Sequence, residues 1–264
     1  MTRTPPNQTP PRDVYFFATC VVDQFFPGAG MDAITLLERQ GLRVHFPEQQ
    51  TCCGQPAYTS GFPDEARKVA AHQLTLFPND WPVVVPSGSC AGMMKHHYPT
   101  LFASDPARKA QADALSGRIY ELTQFLVEVL NFKPEDCGSD CTVVLHTSCS
   151  ARREMNVHVT GRQLLGDLAK VTVAQQDHES ECCGFGGTFS VKQPEISGAM
   201  VEDKVKALKA TSAERVVSAD CGCLMNILGH AAWKDQQEGR TQPALPGEHI
   251  ASFLLRRTSK ETAR

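Results

Sequence analysis

The chain has 264 residues, 41% of them apolar and 21% charged, and carries a net charge of −3. That balance argues against a disordered chain, and with no basic run interleaved with aromatics it argues against nucleic acid as a partner. Its 11 cysteines are many for the length and odd in number.

Secreted disulfide frameworks belong to small, loop-rich chains. Here the opening, Met1-Thr2-Arg3-Thr4-Pro5-Pro6, has no apolar signal core, and residues 1–12 read as a disordered leader. No apolar run approaches the ~20 residues of a membrane helix. The expectation is a cytoplasmic protein whose clustered cysteines serve metal or redox chemistry.

In chain order, the apolar run 14–18 predicts a buried strand. Met31, Ile34 and Leu37 predict a helix over 27–40, ended by Gly41. Residues 42–46 alternate as a strand does. The turn Thr51-Cys52-Cys53-Gly54 follows, then a helix over 63–77 opened by Pro63, Asp64 and Glu65. Residues 83–85 predict a strand, and Ser87-Gly88-Ser89-Cys90 leads into a helix through His96, His97 and Leu101. Residues 107–130 read as helix, broken near Ser116-Gly117, and 131–140 as a linker. The second half predicts strands at 142–146, 171–173 and 215–218. Its helices fall at 161–168, 194–210, 224–233 and 248–257.

The two halves repeat one device. Glu181-Cys182-Cys183-Gly184 answers Thr51-Cys52-Cys53-Gly54, and in each half a strand-like run leads to a further cysteine before and after the pair. Cys20 to Cys149 is 129 positions, Cys53 to Cys183 is 130 and Cys90 to Cys223 is 133. Internal repetition of this kind decides the fold reading. The prediction is an α/β protein of two pseudo-symmetric repeats, 13–130 and 141–257, with a tail over 258–264. Each repeat is a mostly parallel sheet flanked by helices. The cysteines fall at strand C-terminal ends, the edge where such sheets place ligands.

Four thiolates converging in each repeat, Cys20, Cys52, Cys53 and Cys90, then Cys149, Cys182, Cys183 and Cys223, make a soft-ligand site for zinc or an iron–sulfur cluster. Adjacent cysteines reach one centre only from a tight turn, which Gly54 and Gly184 permit. Backbone amides there can donate to sulfur. Cys221 is the alternative to Cys223. His146 is a candidate outer donor that would tune the centre. Cys137 and Cys141 read as surface thiols, His96 and His97 as partly solvated, and Met93 as core. Gly184-Phe185-Gly186-Gly187 matches neither phosphate-loop pattern. Arg256, Arg257, Lys260 and Arg264 read as a solvated basic end.

These paired cysteine motifs resemble the cysteine-rich CCG-domain family, over about residues 13–257. That family includes the cysteine-rich component of heterodisulfide reductase and the iron–sulfur subunits of glycolate- and glycerol-3-phosphate-oxidising complexes. Pro86-Ser87-Gly88-Ser89-Cys90, Glu181-Cys182-Cys183-Gly184-Phe185-Gly186-Gly187 and Gly222-Cys223-Leu224-Met225-Asn226 are most similar to its lactate-utilisation branch. The resemblance implies an iron–sulfur electron-transfer subunit of a complex oxidising lactate, a 2-hydroxy acid, to pyruvate. Its partners would be a ferredoxin-type iron–sulfur protein and a third subunit. The fullest family motif ends each repeat in Cys-x-x-Cys, whereas Met93 and Asn226 stand here. Four cysteines per repeat favour an ordinary [4Fe–4S] cluster, one or two per chain, or zinc in one repeat. The sequence shows no flavin or nicotinamide fingerprint, so electron relay is favoured over independent catalysis. Two rivals stand: a zinc-binding scaffold without redox role, and a catalytic subunit of the heterodisulfide-reductase type.

Overall fold

Eight short strands alternate with helices in a computed structural model that describes residues 10–241 and 245–259. The first sheet holds β1 (Asp13–Phe16), β2 (Arg43–His45), β3 (Val83–Val85) and β4 (Ile119–Glu121), in the order β2-β1-β3-β4. The second holds β5 (Cys141–His146), β6 (Val171–Ala174), β7 (Arg215–Ser218) and β8 (Gly247–His249), in the order β6-β5-β7-β8. Every pairing is parallel. The α/β architecture expected from the sequence is therefore present, twice. Its central strands are covered on both faces, which is why Val83-Val84-Val85 can be continuously apolar and fully buried.

Two strands escape the sequence reading. Residues 107–130 are not one broken helix: the helix Pro106–Ser116 ends, and Ile119–Glu121 then pairs with β3. The segment expected as a helix from 248 opens instead with β8, and its helix spans Ile250–Arg257. Each strand runs without a break into a helix, so only its pairing with a neighbouring strand sets it apart. The residue after each of these strands' central positions caps a helix. Glu121 accepts from the amides of Thr123 and Gln124, and His249 Nδ1 accepts from the amide of Ala251. The helix beyond Cys90 is also uneven, with a π-helical turn at Met93–His97 between Gly88–Gly92 and Tyr98–Leu101.

The two repeats interlock. The closing helix Ile250–Arg257 of the second packs on Pro27–Arg39 of the first, and Leu122–Gln124 of the first packs on Val157–Gly166 of the second. Thr123 and Thr160 hydroxyls meet at 2.6 Å across the latter contact. One continuous core holds Leu37, Val84 and Phe125 of the first repeat together with Leu145, Leu164 and Phe253 of the second. The segment between the repeats is tied down as well. Arg257, expected in a solvated end, is 3% exposed and bonded at 2.6 Å to Asp136, itself 1% exposed. Its position on the inner face of an amphipathic helix overrides the charge run read from the sequence. Residues 1–9 of the expected leader, and Lys260 and Arg264, lie outside the described residues.

Candidate metal centres

Loops leaving the C-terminal ends of three strands bring the cysteines together in each repeat. In the first, Cys20 opens the helix Cys20–Phe25 after β1, Cys52 and Cys53 follow β2, and Cys90 sits in the helical turn after β3. In the second, Cys149 opens the helix Cys149–Met155 after β5, Cys182 and Cys183 follow β6, and Cys223 lies in the first turn of Cys221–Gln237 after β7. In each sheet the chain moves outward to opposite sides from the central pair, so this is the crevice where ligands of open α/β sheets sit.

Gly54 and Gly184 adopt φ of 85° and 84°, the left-handed region the cysteine turn demands. That bend aims each glycine amide at the sulfur two residues back. Gly54 N donates to Cys52 Sγ at 3.5 Å and Gly184 N to Cys182 Sγ at 3.4 Å. The second cysteine of each pair is held by its carbonyl. Tyr98 Oη donates to Cys53 O at 2.9 Å, and Asn226 Nδ2 donates to Cys183 O at 2.8 Å. Asn226 thus has a structural duty where the fullest motif would place a cysteine, and Met93 is buried in the same core as Cys53 and Cys90 without lining the cavity.

The four thiols of each repeat lie close enough to perturb one another in sequence. Cys52 interacts with Cys20 and Cys53, and Cys53 with Cys90. Cys182 interacts with Cys149 and Cys183, and Cys183 with Cys223. Hydrogen bonding from Cys20 and then Cys53 favours the charged form of Cys52 and lowers its pKa. Donation to Cys52, with burial, pushes Cys20 and Cys53 up, and donation to Cys182 does the same for Cys149. A buried cluster of thiols is a costly arrangement by itself and a suitable one for a thiophilic metal. Both donor sets therefore fit zinc or iron–sulfur.

Both sets, with Cys221, line a single cavity of about 410 Å³ between the repeats. Cys90's helix packs on Cys149's, and Cys20's helix on the one bearing Cys221 and Cys223. Cys221 and Cys223 part company here. Cys223 meets Cys183, whereas Cys221 packs with Val22 and Ala29 of the first repeat and is pushed up by burial. Phe185 also lines the cavity and presses on Gly222, where a Cβ would fall 2.5 Å from its ring.

His146 ends β5 and is fully buried beside the second set. Its imidazole nitrogen lies with Cys183 and Cys223 Sγ in a trio whose members are all within 4.8 Å of one another. Neither ring nitrogen has a hydrogen-bond partner among the described residues, a cost of roughly 1–3 kcal/mol for each polar group so left. Burial, with Lys204 and Arg152 nearby, pulls its pKa down to about 3, so the ring is neutral.

Asp220 was not singled out by the sequence. It is 3% exposed, and its Oδ1 reaches across to the first repeat, accepting from Ser87 Oγ, Ser89 N and Ser89 Oγ at 2.9, 3.1 and 2.8 Å. An acidic residue immediately before Cys221-Gly222-Cys223 was its only signal. His96 and His97 bond instead to Glu154, outside the cavity. Cys137 is exposed, as read from the sequence, but Cys141 is half-buried at the start of β5, at the sheet edge away from the other cysteines.

A family model described as a cysteine-rich domain, CCG, matches residues 14–95 and 143–228, one match per sheet. The chain belongs to the cysteine-rich CCG-domain family. Among its relatives, lactate utilization protein A of Shouchella clausii is 45% identical over 244 residues, 92% of this chain and 98% of the relative. Lactate utilization protein A 1 of Bacillus mycoides is 47% identical over 91% of this chain and 96% of its own length. The Bacillus subtilis protein of the same name is 43% identical over 84% and 93%. Among solved structures, a hypothetical protein from Helicobacter pylori superposes with a TM-score of 0.66 at 11% identity, covering 99% of this chain and 52% of that one. At that identity the likeness is one of fold.

Proposed function

We propose that this chain acts in lactate utilization as the electron-transfer subunit of a multi-subunit, cytoplasmic system oxidising lactate to pyruvate. The observation that carries the reading is that two sets of four cysteines face one cavity between the repeats. The full-length likeness to proteins named for lactate utilization supplies the substrate. In this reading Cys20, Cys52, Cys53 and Cys90 hold one iron–sulfur cluster, and Cys149, Cys182, Cys183 and Cys223 a second. Such clusters supply one-electron redox steps. The protein's own part is to fix the thiolates and to stabilise their charge with the Gly54 and Gly184 amides. Removing hydride from a hydroxy acid belongs to a flavin- or nicotinamide-type partner, so a ferredoxin-type iron–sulfur protein and a third subunit complete the system. No helix of the described residues is long and apolar enough to cross a membrane.

Iron and acid-labile sulfide content of protein purified without oxygen tests this. About eight of each per chain, with a paramagnetic signal on reduction, is the result expected of two four-iron clusters. Zinc alone, with no sulfide after reconstitution, would overturn the redox reading. Turnover of lactate by the isolated chain with an artificial acceptor would replace relay by catalysis. A deletion strain lacking other lactate dehydrogenases should fail to grow on lactate and recover with the intact gene.

A further inference from the structure

The two sets of cysteines are alike, but the side chains beneath them are not. Three residues before Cys20 stands Phe17, and three before Cys149 stands His146; both are fully buried. A phenylalanine in that place fills space. A histidine there brings two polar nitrogens into the core, and neither is bonded among the described residues. Its nitrogen faces Cys183 and Cys223, with the three donor atoms all within 4.8 Å of one another. Among the described residues no other three such donors lie as close together, the first repeat's thiols included.

We propose that His146 is a metal ligand, its imidazole nitrogen joining the thiolates of Cys183 and Cys223 on one borderline transition-metal ion, so that the two repeats hold unlike centres. This rests on the metal-centre reading above and narrows it: in the second repeat Cys183 and Cys223 share one ion with His146 instead of each taking an iron of a four-iron cluster. The donor set is the argument. An ion bonded to sulfur at ~2.3 Å and imidazole nitrogen at ~2.0 Å keeps its donors within about 4 Å of each other. The second repeat is within a small inward movement of that spacing. Thiolates that each take a different iron of a cluster need no such mutual approach, and no three thiols of the first repeat make it. With a neutral nitrogen among its donors, where the first repeat has thiolates alone, the centre carries less negative charge per donor and is the easier of the two to reduce. Electrons entering the shared cavity would then settle in the second repeat.

The test uses the full chain, labelled with 15N-histidine and purified without oxygen. Pulsed paramagnetic resonance of the reduced protein should show the coupling of one directly bonded histidine nitrogen. His146→Phe, which copies the packing of the first repeat, should abolish it. Iron-bearing wild-type protein without such coupling would overturn the proposal, and needs no variant to fold. Should the protein hold no iron, so that the redox reading fails separately, cobalt(II) added to the metal-free chain is the probe. Charge-transfer and d–d absorption should report a mixed sulfur and nitrogen site. His146→Phe and His146→Asn should then weaken cobalt binding by more than the ~10–100-fold that outer-sphere partners cost. Unchanged affinity in folded variants would overturn it equally.

Discussion

At the residue scale, two buried groups have measurable consequences. Burial raises Glu121 to about 7 from 4.5, first through desolvation, against the hydrogen bonds it accepts as a helix cap. The folded state therefore keeps a proton that the unfolded chain releases between those values. Stability is greatest below pH 4.5 as far as this group is concerned, falls as pH rises through 7 and is level beyond. The loss is at most about 3 kcal/mol. Urea unfolding at pH 5 and pH 8 should show it in the wild type, and Glu121→Gln should remove the slope. The second group is Gly184. Its φ is +84°, and an added Cβ would lie 2.7 Å from the Ser197 carbonyl, against 3.3 Å from the Ala66 carbonyl for Gly54. Gly184→Ala should cost about 2 kcal/mol or more and lower metal retention, and Gly54→Ala should cost less, near the ~1–2 kcal/mol of the left-handed backbone alone. Thermal unfolding and metal content of both variants check the order.

At the element scale, helices here have room in some places and none in others. Gly198 lies inside the helix Pro194–Lys209, with nothing within 4 Å of a built Cβ. Gly198→Ala should stabilise by roughly 0.5–1 kcal/mol through helix propensity. Gly88 is the opposite case, since its Cβ would fall 2.3 Å from that of Ala151, where the cysteine-bearing helices of the two repeats meet. Gly88→Ala should therefore disturb both centres at once, read as loss of metal from both. The same contrast explains what was legible in the sequence. Long amphipathic segments such as 27–40 and 194–210, each opened by proline, announced themselves. The central strands β1, β3, β5 and β7 were legible as compact apolar runs ending in cysteine. The edge strands β4 and β8 were not, because each runs directly into a helix and was read as part of it. The cysteine sets were legible through repetition, and the structure gathers their residues at the expected strand ends. Asp220 could not be read, because its partners Ser87 and Ser89 are more than 130 positions away in the chain.

At the scale of the whole molecule, the segment joining the repeats is pinned to the closing helix rather than left as a free tether. Arg257 bonds Asp136 and the Ser139 carbonyl from a nearly dry site. Arg257→Met alone should cost about 3–5 kcal/mol, because it strands a buried carboxylate. Pairing it with Asp136→Leu should recover part of that loss, as a double-mutant cycle by urea unfolding would show. The exchange of closing helices has a different consequence, for the order of events at the ribosome. The surface of Pro27–Arg39 that belongs in the core waits for Ile250–Arg257, nearly the last part of the described chain to be made. A nascent first repeat thus cannot complete its packing on its own, and stays sticky while the rest is translated. Its parallel sheets add contacts distant in sequence, which slow folding further. A gene copy ending before residue 250 should accordingly yield aggregated protein rather than a smaller working one, so assembly of the cysteine sites is postponed until synthesis is almost over.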